Sequence, residues 1–301
     1  MTSFVTGPVR VTVPATSANL GPGYDSLGLA LDLRDELEGE VVGDGLVVEV
    51  VGAGEGSVPL DESHLVVSAM RAAFGALGGQ PPGLRLRCTN VVPHARGLGS
   101  SSAAIVGGLV LARALVAGGT LVLDDPTLFE LAARMEGHPD NVSPALHGGF
   151  TISGHDDDGF WTVASPVDPR VAVVVFVPPD GVSTEVARGL LPSQVPHADA
   201  AADAARTALL VAALAGRPEH LLRATRDYLH QEQRRPAMPA SLALVDALRA
   251  DGVPAVVSGA GPTVLALVDG PAGGQRLLDR CPRGWAAHVL AVSTDGARVL
   301  D

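Results

Sequence analysis

The chain contains no lysine: all 21 of its basic residues, in a sequence of 301, are arginine. A Schiff-base lysine, a Walker-type phosphate lysine and the strand lysine of the protein kinases are excluded together. Cysteine is nearly as scarce. Cys88 and Cys281 stand apart, without a CxxC or a His/Cys cluster, so neither a disulfide framework nor a zinc site is indicated and a cytoplasmic location is expected. Aromatics are only 3%, so Val, Leu and Ala must fill the interior of a chain that is 47% hydrophobic and 18% charged, a soluble globular composition. No basic segment followed by an apolar stretch opens the sequence, and its longest strongly apolar run, Val171 to Val177, is too short to span a bilayer. No membrane association is expected. The net charge of −12, with no block of basic residues to offset it, opposes nucleic acid and anionic lipid as partners.

What is present is enough chain for two domains or one large one, at roughly 100–200 residues per domain. Alternation at Val9, Val11 and Val13, closed by Pro14, predicts a strand, and Leu46–Val51 predicts another. Helical spacing predicts a helix over His64–Leu77, and Leu84, Leu86 and Cys88 alternate into a strand ending near Pro93. Helices follow over Ser101–Ala117 and Pro126–Glu136, the second started by Asp125 and Pro126 and stopped by Gly137. Phe150–Ser153 and Phe160–Val163 flank a turn and read as a hairpin closing a first domain, residues 1–165. In the remainder, residues 166–301, Val171–Val177 is a buried strand. Asp199–Leu214, Glu219–Leu229, Pro239–Ala250 and Gly274–Leu278 read as helices, and Ala255–Ser258 and Thr263–Val268 as strands. Asp295-Gly296, between His288–Thr294 and Ala297–Leu300, carries a hairpin signal. Hairpins mixed with helices favour α+β over a regularly alternating sheet.

The most informative segment lies between a predicted strand and a predicted helix: Pro93-His94-Ala95-Arg96-Gly97-Leu98-Gly99-Ser100-Ser101-Ser102-Ala103. Gly97 and Gly99 let the backbone turn its N–H groups inward, and the helix start adds free donors and a favourable dipole. Such a concavity binds phosphate without lysine. The three hydroxyls could cap the helix, bind phosphate oxygen or hold a metal.

Two further segments join it. Pro14-Ala15-Thr16-Ser17-Ala18-Asn19-Leu20-Gly21-Pro22-Gly23-Tyr24-Asp25 follows the first strand, and Ser258-Gly259-Ala260-Gly261-Pro262-Thr263 joins two strands late in the chain. In order and spacing the three resemble the signature motifs of the GHMP kinases, named for galactokinase, homoserine kinase, mevalonate kinase and phosphomevalonate kinase. Within that superfamily the likeness is closest to the homoserine kinases. The first segment is nearly their own first motif, where Phe is commoner than Tyr24, and Glu136-Gly137-His138-Pro139-Asp140-Asn141-Val142-Ser143-Pro144-Ala145 also resembles their pattern. The likeness runs from about residue 9 to the C-terminus.

The resemblance implies an α+β GHMP kinase fold. Its N-terminal ATP-binding domain would resemble the second domain of ribosomal protein S5, followed by a ferredoxin-like C-terminal domain. It implies transfer of the ATP γ-phosphoryl group, with Mg²⁺, to the side-chain hydroxyl of L-homoserine, on the route to threonine. A homodimer is also compatible with it. Residues 93–103 would bind ATP, with Ser101 and Glu136 on the metal; Glu130, six residues earlier, competes with Glu136. Thr184 and Arg188, in Ser183-Thr184-Glu185-Val186-Ala187-Arg188, match substrate contacts. Arg234 matches a second substrate arginine, with Arg235 an ambiguity of one position and Gln233 standing where the family has an aromatic. Asn19 would touch the substrate hydroxyl, Asp25 would receive its ammonium group, and His138 would line the pocket. Asp140 and Asn141 carry over as electrostatic or positioning groups, because homoserine kinases are thought to work without a conventional base. The Gly259 to Gly261 turn would buttress the site. His64, His94 and His230 have no metal-ligand spacing and are expected to be solvated or structural. Two rival functions remain: another GHMP small-molecule kinase, of mevalonate, shikimate or sugar type, and a catalytically silent nucleotide-binding regulator.

Overall fold

The computed structural model describes residues 2–300. Its strands are β1 (Val9–Asn19), β2 (Gly23–Val42), β3 (Gly45–Gly52), β4 (Gly83–Asn90), β5 (Phe150–Asp156), β6 (Gly159–Ser165), β7 (Val171–Val177), β8 (Ala255–Val257), β9 (Val264–Asp269), β10 (Ala286–Ala291) and β11 (Arg298–Leu300). Its helices are α1 (Leu65–Ala76), α2 (Ser100–Ala114), α3 (Gly119–Val122), α4 (Asp125–Glu136), α5 (Val142–His147), α6 (Thr184–Gly189), α7 (His197–Gly216), α8 (Leu221–Ala224), α9 (Pro239–Ala250) and α10 (Gly270–Gln275).

One sheet runs β11-β1-β2-β4-β3, with β5 added to β2 and β6 to β5. The other runs β10-β7-β9-β8. Taken in chain order, the second sheet has its strands fourth-first-third-second, with helices between β7 and β8 and again between β9 and β10. That is the βαββαβ arrangement of a ferredoxin-like domain. Residue 165 divides the strands of the two sheets with one exception. The expected hairpin at Asp295-Gly296 does not form: β10 pairs with β7, while β11 crosses back to pair with β1 through Arg10–Leu300, Val11–Val299 and Thr12–Arg298. The unpaired edge of β1 outcompetes the local turn signal.

Three cores hold the layers. Val11, Val13, Leu84 and Leu86 of the first sheet bury against Met70 and Phe74 of α1, Leu109 of α2 and Leu128 of α4. A second core joins the halves, packing Ala15, Leu27, Leu29 and Leu31 against Val171, Val173 and Val175 and against Leu210 and Leu214 of α7. The alternate β7 residues Val174 and Phe176 face Leu242, Val245 and Leu248 of α9. With both faces covered, β7 needs no polar residue, which accounts for its uninterrupted apolar run.

Two expectations are corrected by local chemistry. Pro14 does not close the first strand: β1 continues to Asn19, with the pairing register shifting between Pro14 and Ala15, where a bulge tolerates a residue without an N–H. The long partner strand β2 escapes a pattern reading because Leu27 to Leu31 is buried throughout, while alternation appears only around Glu36, Leu37 and Glu38. The helix expected over Glu219–Leu229 is a 3₁₀ turn at Pro218–His220 followed by the short α8. Asp227 ends it by accepting the amides of Leu229 at 3.0 Å, His230 at 3.1 Å and Gln231 at 2.7 Å, donors a continuing helix would need.

Candidate active site

The Pro93 to Ala103 segment leaves β4 and enters α2, a helix buried along most of its length. Asp35 of β2 anchors its start by accepting the amides of Val91 at 2.6 Å and Val92 at 2.9 Å. Burial pushes the Asp35 carboxyl up to about 6 despite those two bonds. Gly97 and Gly99 both adopt left-handed φ, +75° and +69°. A Cβ on Gly97 would sit 2.2 Å from the Ser258 carbonyl oxygen, and one on Gly99 would sit 1.9 Å from Thr16 Oγ1. The loop is therefore built in contact with both other motifs. Ser258 Oγ donates to the Gly97 carbonyl at 2.6 Å, and the Thr263 amide donates to the Arg96 carbonyl at 3.2 Å. The late glycine turn buttresses the loop.

Gly99 is the N-cap of α2 and none of the serines caps it. Ser101 Oγ donates instead to Glu136 Oε1 at 2.6 Å, and Ser102 Oγ donates to the same oxygen at 3.0 Å. Glu136 ends α4, whose N-cap is Asp124, one residue before the expected start, accepting from the Thr127 amide. Glu130 points elsewhere, accepting the Phe160 amide at 2.9 Å and pairing with Arg134 at 2.5 Å.

These elements enclose a cavity of about 300 Å³. Asn19, Asp25, Glu136, His138, Asp140, Asn141, Thr184, Arg188 and Arg234 all line it, together with Ala95, Gly97, Gly99, Ser100, Ser101 and Gly259. The candidates drawn from the first motif, the Glu136–Asn141 segment, α6 and the 3₁₀ turn at Glu232–Ala237 thus converge. Arg188 pairs with Asp25 through two bonds, 2.7 and 3.0 Å, and donates to the Tyr24 hydroxyl at 2.9 Å. The expected carboxylate clamp and ammonium acceptor therefore face one another. Asn19 is committed at both ends, donating to the Gly259 carbonyl at 2.9 Å and accepting the Asp25 amide at 2.9 Å. Its amide group ties the first motif to the third, and one N–H remains for a hydroxyl in the cavity. Asn141 Oδ1 accepts from Thr16 Oγ1 at 2.8 Å.

Arg234 is 1% exposed and, among the described residues, forms no ion pair. Its partners are neutral: the carbonyls of Ala187 and Gly259, His230 Nδ1, and the face of Tyr24 with the guanidinium carbon 5.7 Å from the ring centre. Arg235 turns outward to Glu232 and Asp246.

His138 Nδ1 lies 2.8 Å from Asp140 Oδ1. Burial lowers the His138 pKa, but its bond to Asp140 and the charges of Asp140 and Glu136 outweigh this and carry it above the ordinary value. The stabilisation from this pair is therefore complete below the ordinary imidazole pKa and fades as pH rises through the raised one. In Asp140→Asn, burial is left with less opposition, and the His138 pKa is expected to fall. NMR titration of the imidazole checks this, and an unmoved midpoint would contradict the pairing.

Some expected residues lie outside the cavity. Arg96 turns to the carbonyls of His94 and Pro179, and Leu98 is buried in the core joining the halves. Pro93 and Ser102 line neither this cavity nor its neighbour. That neighbour, about 290 Å³, adjoins the first at Ser100 and Ser101 and is walled by Val58, Pro59, Leu65, Val66, Ala103 and Ala104. His64 and His94 line it too, so neither is simply solvated, and burial lowers the pKa of both. His64 Nδ1 is buried without a partner. Sequence reasoning missed this cavity because, beyond His94, Ser100, Ser101 and Ala103 of the glycine loop, its walls come from β1, β2, β4, α1, α2 and the loop before α1, residues that no single local pattern links. Tyr24 was also missed as a functional side chain, although it touches both arginines.

As a donor set, Ser101, Ser102 and Glu136 offer only hard oxygen atoms, beside the helix start at Gly99. This fits Mg²⁺, which takes one or two carboxylates and keeps phosphate oxygens and water as its other ligands. Among the described residues no group of three or more His, Cys, Asp or Glu side chains could hold a metal without such help.

Comparison with known proteins agrees with this architecture. Residues 64–149 match the GHMP kinases N terminal domain and residues 207–287 the GHMP kinases C terminal domain. The chain is 54% identical to a homoserine kinase of Streptomyces avermitilis, over 99% of this chain and 97% of that one. It is 53% identical to the homoserine kinase of Streptomyces coelicolor, over 99% and 96%. Its fold superposes on the crystal structure of homoserine kinase from Cytophaga hutchinsonii with a TM-score of 0.86, at 27% identity and 99% coverage of both chains. Full-length identity, both domain matches and a shared fold place the chain in the GHMP kinases, as a member of the homoserine kinase family.

Proposed function

We propose that this chain transfers the γ-phosphoryl group of ATP to the side-chain hydroxyl of L-homoserine, giving O-phospho-L-homoserine. The observation that carries the reading is Arg234: a buried guanidinium without an anionic partner, at the wall of a cavity that also holds Arg188 beside Asp25. An unpaired buried cation is costly and is relieved by an anionic ligand. The substrate carboxylate supplies that anion, and its ammonium group finds Asp25. An acceptor without an ammonium group, such as a sugar, forms no ion pair with Asp25.

The nucleoside lies in the apolar cavity lined by Val58, Pro59, Leu65 and Val66, with the His64 ring in its wall. Its phosphates pass Ser100 and Ser101 into the cradle at Gly97 and Gly99, where backbone amides and the start of α2 do the work of the missing lysine. Ser101 and Glu136 would hold Mg²⁺, with Ser102 orienting the carboxylate. When bound, the metal neutralises charge developing on the transferred group. Phosphoryl transfer runs through a loose transition state, so positioning and electrostatics suffice without a covalent intermediate. Asp140, held by His138, and Asn141, held by Thr16, position the reacting end of the pocket. Two unbonded cysteines, one buried and one half-buried, fit a cytoplasmic location, and among the described residues no helix is long and apolar enough to cross a membrane.

A coupled assay with ATP, Mg²⁺ and a panel of hydroxyl compounds tests the reading: turnover is expected on homoserine, and its absence there would refute it. Asp25→Asn is expected to raise the KM for homoserine roughly 10- to 100-fold, the size of a lost charge-assisted bond, with the KM for ATP little changed.

A further inference from the structure

His230 does not line the cavity, yet it is wholly buried and uses both ring nitrogens. Nε2 is 2.7 Å from the carbonyl oxygen of Gly21, in the turn of the first motif. Nδ1 is 3.1 Å from Arg234 Nη1. A carbonyl only accepts and a guanidinium only donates, so one ring state satisfies both contacts: neutral, with the proton on Nε2. Protonation at Nδ1 would set two N–H groups and two positive charges against each other. The backbone turn that holds the ring is pinned by Asp227, whose carboxylate takes three successive amides and stands 3.5 Å from Nε2. Arg234 spends Nε on the Ala187 carbonyl and both Nη1 protons on His230 and Gly259, which leaves its Nη2 group for the cavity it lines.

We propose that His230 is a positioning residue that ties the guanidinium of Arg234 to the backbone of the first motif and so aims its Nη2 group at the acceptor carboxylate. Through Gly21, the arginine is tied to the same turn that carries Asn19 and Asp25. The carboxylate and ammonium contacts are thereby held at one separation, which fixes where the substrate hydroxyl points. This proposal rests on the reading of Arg234 as the acceptor's carboxylate contact.

Three variants test it with steady-state kinetics on homoserine and ATP. His230→Gln keeps a donor near Gly21 and gives up the acceptor facing Arg234, whereas His230→Asn keeps an acceptor near Nδ1. His230→Gln is expected to raise the KM for the amino acid roughly tenfold or more, with the KM for ATP little moved, and His230→Asn to recover part of that loss. In an Arg234→Ala background, His230→Gln is expected to add no further loss. If Arg234→Ala leaves the amino-acid KM unchanged, the reading of Arg234 fails. If Arg234→Ala raises it while His230→Gln does not, or if the two losses multiply, the positioning role is overturned. Should His230→Gln fail to fold, ¹⁵N NMR of the wild-type ring decides the matter: Nε2–H with bare Nδ1 at neutral pH is expected, and a charged ring or the other tautomer overturns the proposal.

Discussion

Glu136→Gln is expected to lower kcat by more than about 100-fold, since loss of a residue that merely supports a metal ligand already costs roughly 10- to 100-fold. The amide keeps the shape of the side chain and an oxygen able to accept from Ser101 and Ser102, so the fold and the cavity should survive. What disappears is the negative charge that draws a divalent cation to the start of α2. The effect should appear as a Mg²⁺ requirement displaced to higher concentration, read from activity against Mg²⁺ at saturating ATP. The matching change at Glu130, which supports the β6 backbone and pairs with Arg134, should leave that requirement in place. An equal loss in both variants would remove Glu136 from the metal site.

Gly97→Ala is expected to reduce kcat/KM for ATP on the order of 100-fold, the scale of an ångström-sized misplacement of reacting groups. The added Cβ would lie 2.2 Å from the Ser258 carbonyl oxygen and 2.8 Å from that of Gly261, both backbone atoms that cannot rotate away. The residue would also keep a left-handed conformation that alanine adopts only with strain, of order 1–3 kcal/mol. The loop must then either retreat from the third motif, turning its amides off the phosphates, or push that motif aside. Calorimetric titration with a non-hydrolysable ATP analogue separates this from general unfolding. Binding as tight as wild type would show that the loop is not the phosphate cradle.

The parts of this architecture legible in advance share one property: their chemistry is written in adjacent residues. The cradle at Gly97 and Gly99 needs small residues beside a helix start, and the spacing of Val11 and Val13 or of Leu84 and Leu86 repeats within a few positions. The misreadings share the opposite property. Asp295-Gly296 has the residues of a tight turn, yet the open edge of β1 decides where Arg298–Leu300 pairs. The stretch after Pro218 has helical spacing, yet the Asp227 carboxylate takes the amides that a helix requires. β2 serves two environments along its length, pairing with β5 through Leu27–Leu29 and with β4 through Glu36–Val42, so no single period describes it.

A chain with no lysine has only backbone amides, hydroxyls and arginine to offer a phosphate, and the three glycine-rich motifs that meet at the cavity stand in the sequence in a fixed order. That much required no coordinates. The resemblance named Glu136 and Arg234 with Glu130 and Arg235 as competitors; only the coordinates show that the first two line the cavity while the others bond elsewhere, and only they show the contacts of His230 and the wall of the second cavity. Each of these depends on which way a side chain faces once distant segments meet: Ser101 meets Glu136 across 35 residues, and Asn19 meets Gly259 across 240. Local periodicity is silent about contacts at that separation, because they are set by how the helices and the two sheets bury their apolar faces against one another.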